Sequence, residues 1–167
     1  SSAASDVYKR QVIENAYHGV TDAVYDLSPA EALDTSTLKS HIEEIKAPDD
    51  YRGPWKRDDP ERGFHYAAYA AEAIDRLIQK GHSPAAFFMD MIMSSSGIIA
   101  PLPLYTEEVC NRLRNAGGLF VADEVQSGFG RLGKAMWGFE MAGVTPDIVT
   151  FGTVSYTHLT LPTMCVV

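Results

Sequence analysis

The stretch of sequence that decides the fold is LFVADEVQSGFGRLGK, residues 119–134. Four apolar residues lead to Asp123, and a glycine-rich turn follows. A short apolar run that ends at turn residues predicts a buried strand. Ligands of parallel α/β sheets bind outside the carboxyl ends of the strands, so Asp123 is predicted to lie where a carboxylate can contact a ligand. A lone aspartate at such a place is more often a solvated acid.

The sequence around this stretch alternates between helical and strand patterns. Residues 64–80 carry apolar side chains at helical spacing, and residues 105–115 read as a second helix with Thr106 as its N-cap. Apolar runs at residues 85–93 and 148–151 predict two further buried strands. Strands that alternate with helices favour a mainly parallel sheet with crossover helices, which is an α/β fold.

Composition limits the classes of partner. The chain has 167 residues, 46% of them hydrophobic, which suits one globular domain. Its formal net charge of -8 makes it a poor binder of polyanions, so we expect neither nucleic acid nor membrane as a partner. Two cysteines are too few for a disulfide framework, and we see no apolar signal segment, so the cytoplasm is the expected location. The histidines lack metal-ligand spacing, and no metal is expected.

The decisive stretch also permits a nucleotide-binding interpretation. Apolar residues before Asp123 and Glu124 are typical of a Walker B strand, and residues 128–134 match G-x-x-x-x-G-K. Such a loop needs a Ser or Thr after Lys134 to hold magnesium, whereas Ala135 follows here. It must also follow a strand directly, whereas here it follows DEVQ. A P-loop-like nucleotide-binding module is an alternative that these two departures argue against.

The same stretch resembles class III aminotransferases, whose members carry D-E-V-Q-[ST]-G-F-G-R-x-G. The similarity continues to PDIVTFG at residues 146–152, and Ala-Tyr-His-Gly at residues 16–19 resembles the family's aromatic-His-Gly turn. Together the resemblance covers roughly residues 12–152. It implies part of the large domain of a fold-type-I enzyme that uses pyridoxal 5'-phosphate, with a homodimer for the full-length parent.

The resemblance also implies a reaction. The parent would move an amino group between an amine or amino acid and an oxo acid, both small molecules. Within the family, a pyridoxal-phosphate-dependent phospholyase acting on an amino-alcohol phosphate is the alternative, because related sequences use the same cofactor site for elimination. A third hypothesis is that the chain as given is an inert fragment.

By this resemblance, four side chains would contact pyridoxal phosphate. Asp123 would keep the ring nitrogen protonated, and Gln126 would reach the phenolic oxygen of the ring. Tyr17 would stack on the ring, with His18 beside it as a pocket wall. Without the resemblance, the last two residues would be an ordinary half-buried turn. Asp90 stands where many members have glutamate, which leaves the subfamily and substrate open. We expect these residues to converge at the carboxyl edge of the sheet, and we assign no catalytic residue.

The two ends of the chain differ from its middle. Residues 1–11 read SSAASDVYKRQ and residues 154–163 read VSYTHLTLPT, and both resemble translated sequencing-adapter DNA. We therefore expect residues 12–152 to be a partial domain that binds pyridoxal phosphate, and residues 1–11 and 153–167 to be non-native tails that pack poorly. The family's Schiff-base lysine would stand at position 153, where this chain has Thr153.

The missing lysine gives a first prediction. A threonine hydroxyl is not an amine and forms no imine, so the chain should not transaminate by the family mechanism. The resemblance puts the family's phosphate-binding turn before Val12, so Thr153→Lys should give at most a weak, slowly exchanging imine without turnover. To measure imine formation and turnover, both versions of the chain are incubated with pyridoxal phosphate and an amino donor. Imine absorbance and oxo-acid formation are then followed. Robust turnover by the Thr153 chain would contradict the prediction and would direct attention to Lys134.

Overall fold

The computed structural model describes residues 8–31 and 41–152, which form a parallel sheet with helices packed on it. The strands are β1 (Tyr8–Ile13), β2 (Ile42–Ile45), β3 (Ser83–Asp90), β4 (Leu119–Asp123) and β5 (Ile148–Thr150). The helices are α1 (Asp22–Tyr25), α2 (Arg62–Gln79), α3 (Tyr105–Asn115) and α4 (Gly138–Met141), with 3₁₀ turns at Pro29–Glu31 and Ser94–Ser96.

The strand order is β2-β1-β3-β4-β5, and every neighbouring pair is parallel. The carboxyl ends of all the described strands therefore lie at one edge of the sheet. Parallel neighbours must be joined by crossover connections, and α2 and α3 supply those that lead into β3 and β4. The arrangement confirms the predicted α/β fold with a mainly parallel sheet.

Helix α2 covers one face of the sheet together with α3. The side chains predicted to share its inner face are all buried: Tyr66, Ala70, Ala73 and Leu77. Three of these residues belong to the main core, which also holds Phe87 and Phe120 from the sheet. Packing of this apolar stripe stabilises the helix more than the intrinsic helix propensity of its residues does. Within the described residues, no helix combines the length and apolar character needed to cross a membrane.

Two local predictions need correction. Thr106 is not the N-cap of α3, because the helix begins at Tyr105 after Leu104, which adopts a left-handed φ of 66°. Thr106 is instead buried in the first turn, and its Oγ1 has no hydrogen-bond partner in the described part of the chain. The strand predicted at residues 85–93 ends earlier than expected, at Asp90, because the Asp90 carboxylate accepts hydrogen bonds from the backbone that follows and turns it.

The prediction that residues 1–11 pack poorly is wrong for residues 8–11. These residues lie in β1, between β2 and β3, where Lys9 is 5% exposed and Gln11 is fully buried. A strand ladder uses main-chain donors and acceptors that every residue except proline carries, so an unusual composition does not prevent pairing. Residues 1–7 and 153–167 lie outside the described residues, and the packing prediction is not tested there.

The buried amide of Gln11 gives a second prediction. Neither its Nε2 nor its Oε1 has a hydrogen-bond partner among the described residues, and such burial costs roughly 1–3 kcal/mol. We expect Gln11→Leu to raise the free energy of unfolding by about 1–3 kcal/mol, measured by urea titration with far-UV circular dichroism. The control is Gln79→Leu at the exposed end of α2, which should change it by less than about 0.5 kcal/mol. An unchanged value for Gln11→Leu would mean that the amide finds a partner.

Candidate functional site

Asp123 ends β4 at the carboxyl edge of the sheet, and its side chain is 9% exposed. One carboxylate oxygen, Oδ2, lies 2.7 Å from Nδ1 of His18. The other, Oδ1, accepts a hydrogen bond from the backbone N–H of Val125 at 3.1 Å. This second bond closes a turn two residues long, which ends the strand and holds the carboxylate at its tip.

His18 reaches Asp123 from the loop that follows β1, although the two residues are 105 positions apart in the chain. The His18 backbone N–H donates to Oγ of Ser28, whose hydroxyl donates to the carbonyl of Gly19, so this loop is folded by its own hydrogen bonds. The His18 ring lies 5.9 Å from the ring of Phe88 and is 3% exposed. Because a carboxylate only accepts, the geometry assigns the proton to Nδ1. The other ring nitrogen, Nε2, is buried without a partner among the described residues.

Asp90 lies beside Asp123, because the two are register partners at the ends of β3 and β4. The Asp90 carboxylate turns into the loop that follows β3, where it accepts from the N–H groups of Ile92 at 3.0 Å and Ser94 at 2.8 Å and from the hydroxyl of Ser94. The two neighbouring carboxyl groups therefore have separate sets of hydrogen-bond donors. In the structure, the contacts of Asp90 shape this loop.

Tyr17 and Gln126 lie at the same edge, as chain neighbours of His18 and Asp123. Tyr17 is 43% exposed, and Gln126 is exposed in the turn after β4. The structure therefore brings His18 and Asp123 into direct contact and leaves the other two side chains open to solvent beside them. Which of these side chains bind a cofactor stays a prediction.

Sequence reasoning missed Glu124, the residue directly after Asp123. Its side chain is buried, with the residue only 1% exposed, and it accepts three hydrogen bonds. The donors are the hydroxyl of Ser127 at 2.6 Å, the N–H of Gly138 at 2.8 Å and the N–H of Phe139 at 2.8 Å. The sequence did contain a signal, which is the pair of adjacent acids at the end of the predicted strand. Because two successive side chains point in different directions, only one of the two could face a ligand, and the other needed a separate role.

The nucleotide-binding alternative does not match the geometry. In a P-loop, the lysine opens the helix that follows the glycine turn. Lys134 is exposed and stands four positions before α4, which begins at Gly138. Among the described residues, no group of three or more His, Cys, Asp and Glu side chains could hold a metal ion. Burial raises the pKa of the Cys110 thiol to about 12, so this cysteine is protonated and is not a nucleophile.

The parallel sheet with a buried aspartate at the carboxyl end of an internal strand is typical of a ligand-binding α/β enzyme domain. Residues 6–160 match the family model described as aminotransferase class III. A protein of Drosophila melanogaster described as alanine–glyoxylate aminotransferase 2-like is 34% identical in an alignment of 154 residues that covers 87% of this chain and 31% of that protein. The chain therefore belongs to the class III aminotransferase family.

Solved structures agree with this assignment. A phospholyase from Arthrobacter in complex with phosphoethanolamine matches with a TM-score of 0.75 at 34% identity, over 86% of this chain and 34% of that one. An ω-transaminase from Pseudomonas jessenii in complex with PMP matches with a TM-score of 0.75 at 28% identity, over 86% of this chain and 32% of that one. The chain spans about a third of the length of these relatives. Membership of the family implies pyridoxal phosphate as the cofactor.

The contact between His18 and Asp123 gives a third prediction. Removing either side chain leaves the other polar group buried without its partner, so a double-mutant cycle of His18→Ala and Asp123→Ala should give a coupling free energy of about 1–3 kcal/mol. Urea unfolding of the four proteins measures it. The matched control is the more exposed pair of Glu108 and Arg112 on α3, 2.9 Å apart, whose coupling should be about 0.5 kcal/mol or less. Equal couplings for the two pairs would show that burial adds nothing to the contact.

Proposed function

We propose that this chain is a cofactor-binding part of a pyridoxal-phosphate-dependent aminotransferase that moves an amino group between an amine or amino acid and an oxo acid. The observation that carries the proposal is the buried carboxylate of Asp123, held at the carboxyl end of β4 by His18. When bound, pyridoxal phosphate supplies an electron sink, which works best while its ring nitrogen is protonated.

The donor set around Asp123 fits a protonated ring nitrogen. Each carboxylate oxygen accepts from one donor among the described residues and has capacity for a second. Burial in low dielectric strengthens the attraction between a carboxylate and a nearby positive charge. His18 fixes the orientation of the carboxylate, because its Nδ1–H is bonded to one oxygen and its ring is packed near Phe88. Asp123 would thus hold a proton on the ring nitrogen, and His18 would keep Asp123 in place.

The exposed neighbours suit contact with the ring. Tyr17 follows Ala16, which is buried, so its backbone is anchored while 43% of the residue remains open to a flat partner. Gln126 is exposed three residues after Asp123, and its amide could donate to the phenolic oxygen at the other side of the ring. Both assignments come from the family resemblance and are supported by the position of these residues at one edge of the sheet.

A phospholyase acting on an amino-alcohol phosphate is the second candidate function. It is supported by the Arthrobacter phospholyase in complex with phosphoethanolamine, which is 34% identical to this chain over the matched region. The same aspartate would serve either reaction, since both need electrons drawn into the ring. A homodimer and a cytoplasmic location for the parent remain predictions from the sequence.

Binding to the chain itself can be tested without a lysine. Pyridoxamine 5'-phosphate needs no imine, so we expect it to bind with millimolar affinity and to shift the amide NMR signals of His18, Asp123 and Gln126. Asp123→Asn should weaken binding about tenfold, because it removes a hydrogen bond to a charged group. The control is Asp75→Asn on the outside of α2, which should leave the titration unchanged. Shifts confined to other residues, or none at millimolar ligand, would refute the assignment of Asp123.

The choice between the two reactions needs a full-length member of the family that contains this chain. With that protein, an aminotransferase forms an oxo acid from an amino donor, whereas a phospholyase releases inorganic phosphate from phosphoethanolamine. Phosphate release without any amino transfer would overturn the first proposal in favour of the second.

A further inference from the structure

The role of Glu124 follows from its three hydrogen bonds. It stands between Asp123, which is proposed to contact the cofactor's ring nitrogen, and the turn that carries Gln126. Its side chain points away from solvent, and the residue is 1% exposed. Burying a carboxylate costs free energy unless hydrogen-bond donors surround it. The burial of Glu124 therefore depends on the hydrogen bonds that it accepts.

These contacts close a long loop onto the strand end. Oε2 accepts from the hydroxyl of Ser127 and from the N–H of Gly138, which is 14 residues further along the chain, and Oε1 accepts from the N–H of Phe139, 15 residues further along. The backbone carbonyl of Glu124 also accepts from the N–H of Gly128 at 2.9 Å. One residue thus fixes both ends of the segment at residues 125–138.

Two glycines make room for this closure. A Cβ on Gly138 would meet Cβ of Met91 at 2.6 Å and Oγ of Ser127 at 2.9 Å, and a Cβ on Gly128 would meet the carbonyl oxygen of Glu124 at 2.8 Å. Any side chain at either position would push the segment away from the strand end. The close approach to Met91 also places the start of α4, which Glu124 holds, against the loop that follows Asp90.

We propose that Glu124 is a positioning residue, which ties residues 125–138 to the end of β4 and thereby sets the place of Gln126 relative to Asp123. The consequence for cofactor binding rests on the proposed function, because Asp123 and Gln126 are proposed to contact two edges of the same cofactor ring. Glutamine cannot replace the carboxylate. Whichever way its amide is oriented, its NH₂ group faces the N–H of either Gly138 or Phe139, which puts a donor against a donor.

Amide hydrogen exchange in the free chain tests the tie itself. Glu124→Gln should speed the exchange of the Gly138 and Phe139 amides about tenfold or more relative to the unsubstituted chain. The matched control is Glu140→Gln, because Glu140 also accepts from a backbone N–H at the start of α4, that of Trp137 at 3.0 Å, but is exposed. The control should leave the exchange of these two amides unchanged. Equal exchange in Glu124→Gln and the unsubstituted chain would overturn the proposal.

A second readout separates positioning from general stability. In Glu124→Gln, pyridoxamine 5'-phosphate should still shift the signals of His18 and Asp123, whereas the shift at Gln126 should be lost. If Glu124→Gln fails to fold, Ser127→Ala can be used instead, because it removes one of the three donors. It should give a smaller increase in the exchange of the Gly138 and Phe139 amides and a partial loss of the shift at Gln126. Loss of all the shifts together, or of none, would show that Glu124 does not position Gln126. If the unsubstituted chain gives no shifts, the proposed function fails, while the exchange experiment still decides whether the tie exists.

Discussion

The parallel pairing of β1, β3 and β4 is the constraint on which the rest of the structure depends. Because these strands run in one direction, the loop that follows each strand begins at the same edge of the sheet. The loop after β1 brings His18, and β4 ends at Asp123, so residues far apart in the chain meet at 2.7 Å. An antiparallel neighbour would have sent one of these loops to the opposite edge, and the contact could not form.

Among the described residues, this edge carries three buried carboxyl groups, at Asp90, Asp123 and Glu124. Each is surrounded by its own donors: Asp90 by the loop after β3, Asp123 by His18 and its own turn, and Glu124 by Ser127 and the start of α4. Backbone N–H groups supply much of this compensation for burial. Asp90 and Glu124 shape loops, whereas each carboxyl oxygen of Asp123 accepts from one donor among the described residues.

Family membership supports the cofactor of the proposed function, and the geometry supports the role of one of its residues. Membership implies the cofactor, and the relatives include proteins named for amino transfer and for phosphate elimination. The geometry supports an aspartate oriented by a histidine, which either reaction could use. The chain spans about a third of the length of these relatives.

The sequence by itself determined the fold class, the positions of α2, α3, β3, β4 and β5 within a few residues, and the place of Asp123 at the end of a strand, because apolar periodicity and a family motif are local signals. It did not reveal β1 as a buried internal strand, nor the contact of His18 with Asp123, nor the role of Glu124. Each of these depends on partners far away in the chain. Strand pairing and side-chain hydrogen bonds over 14 to 105 residues are decided only when the sheet brings those partners together.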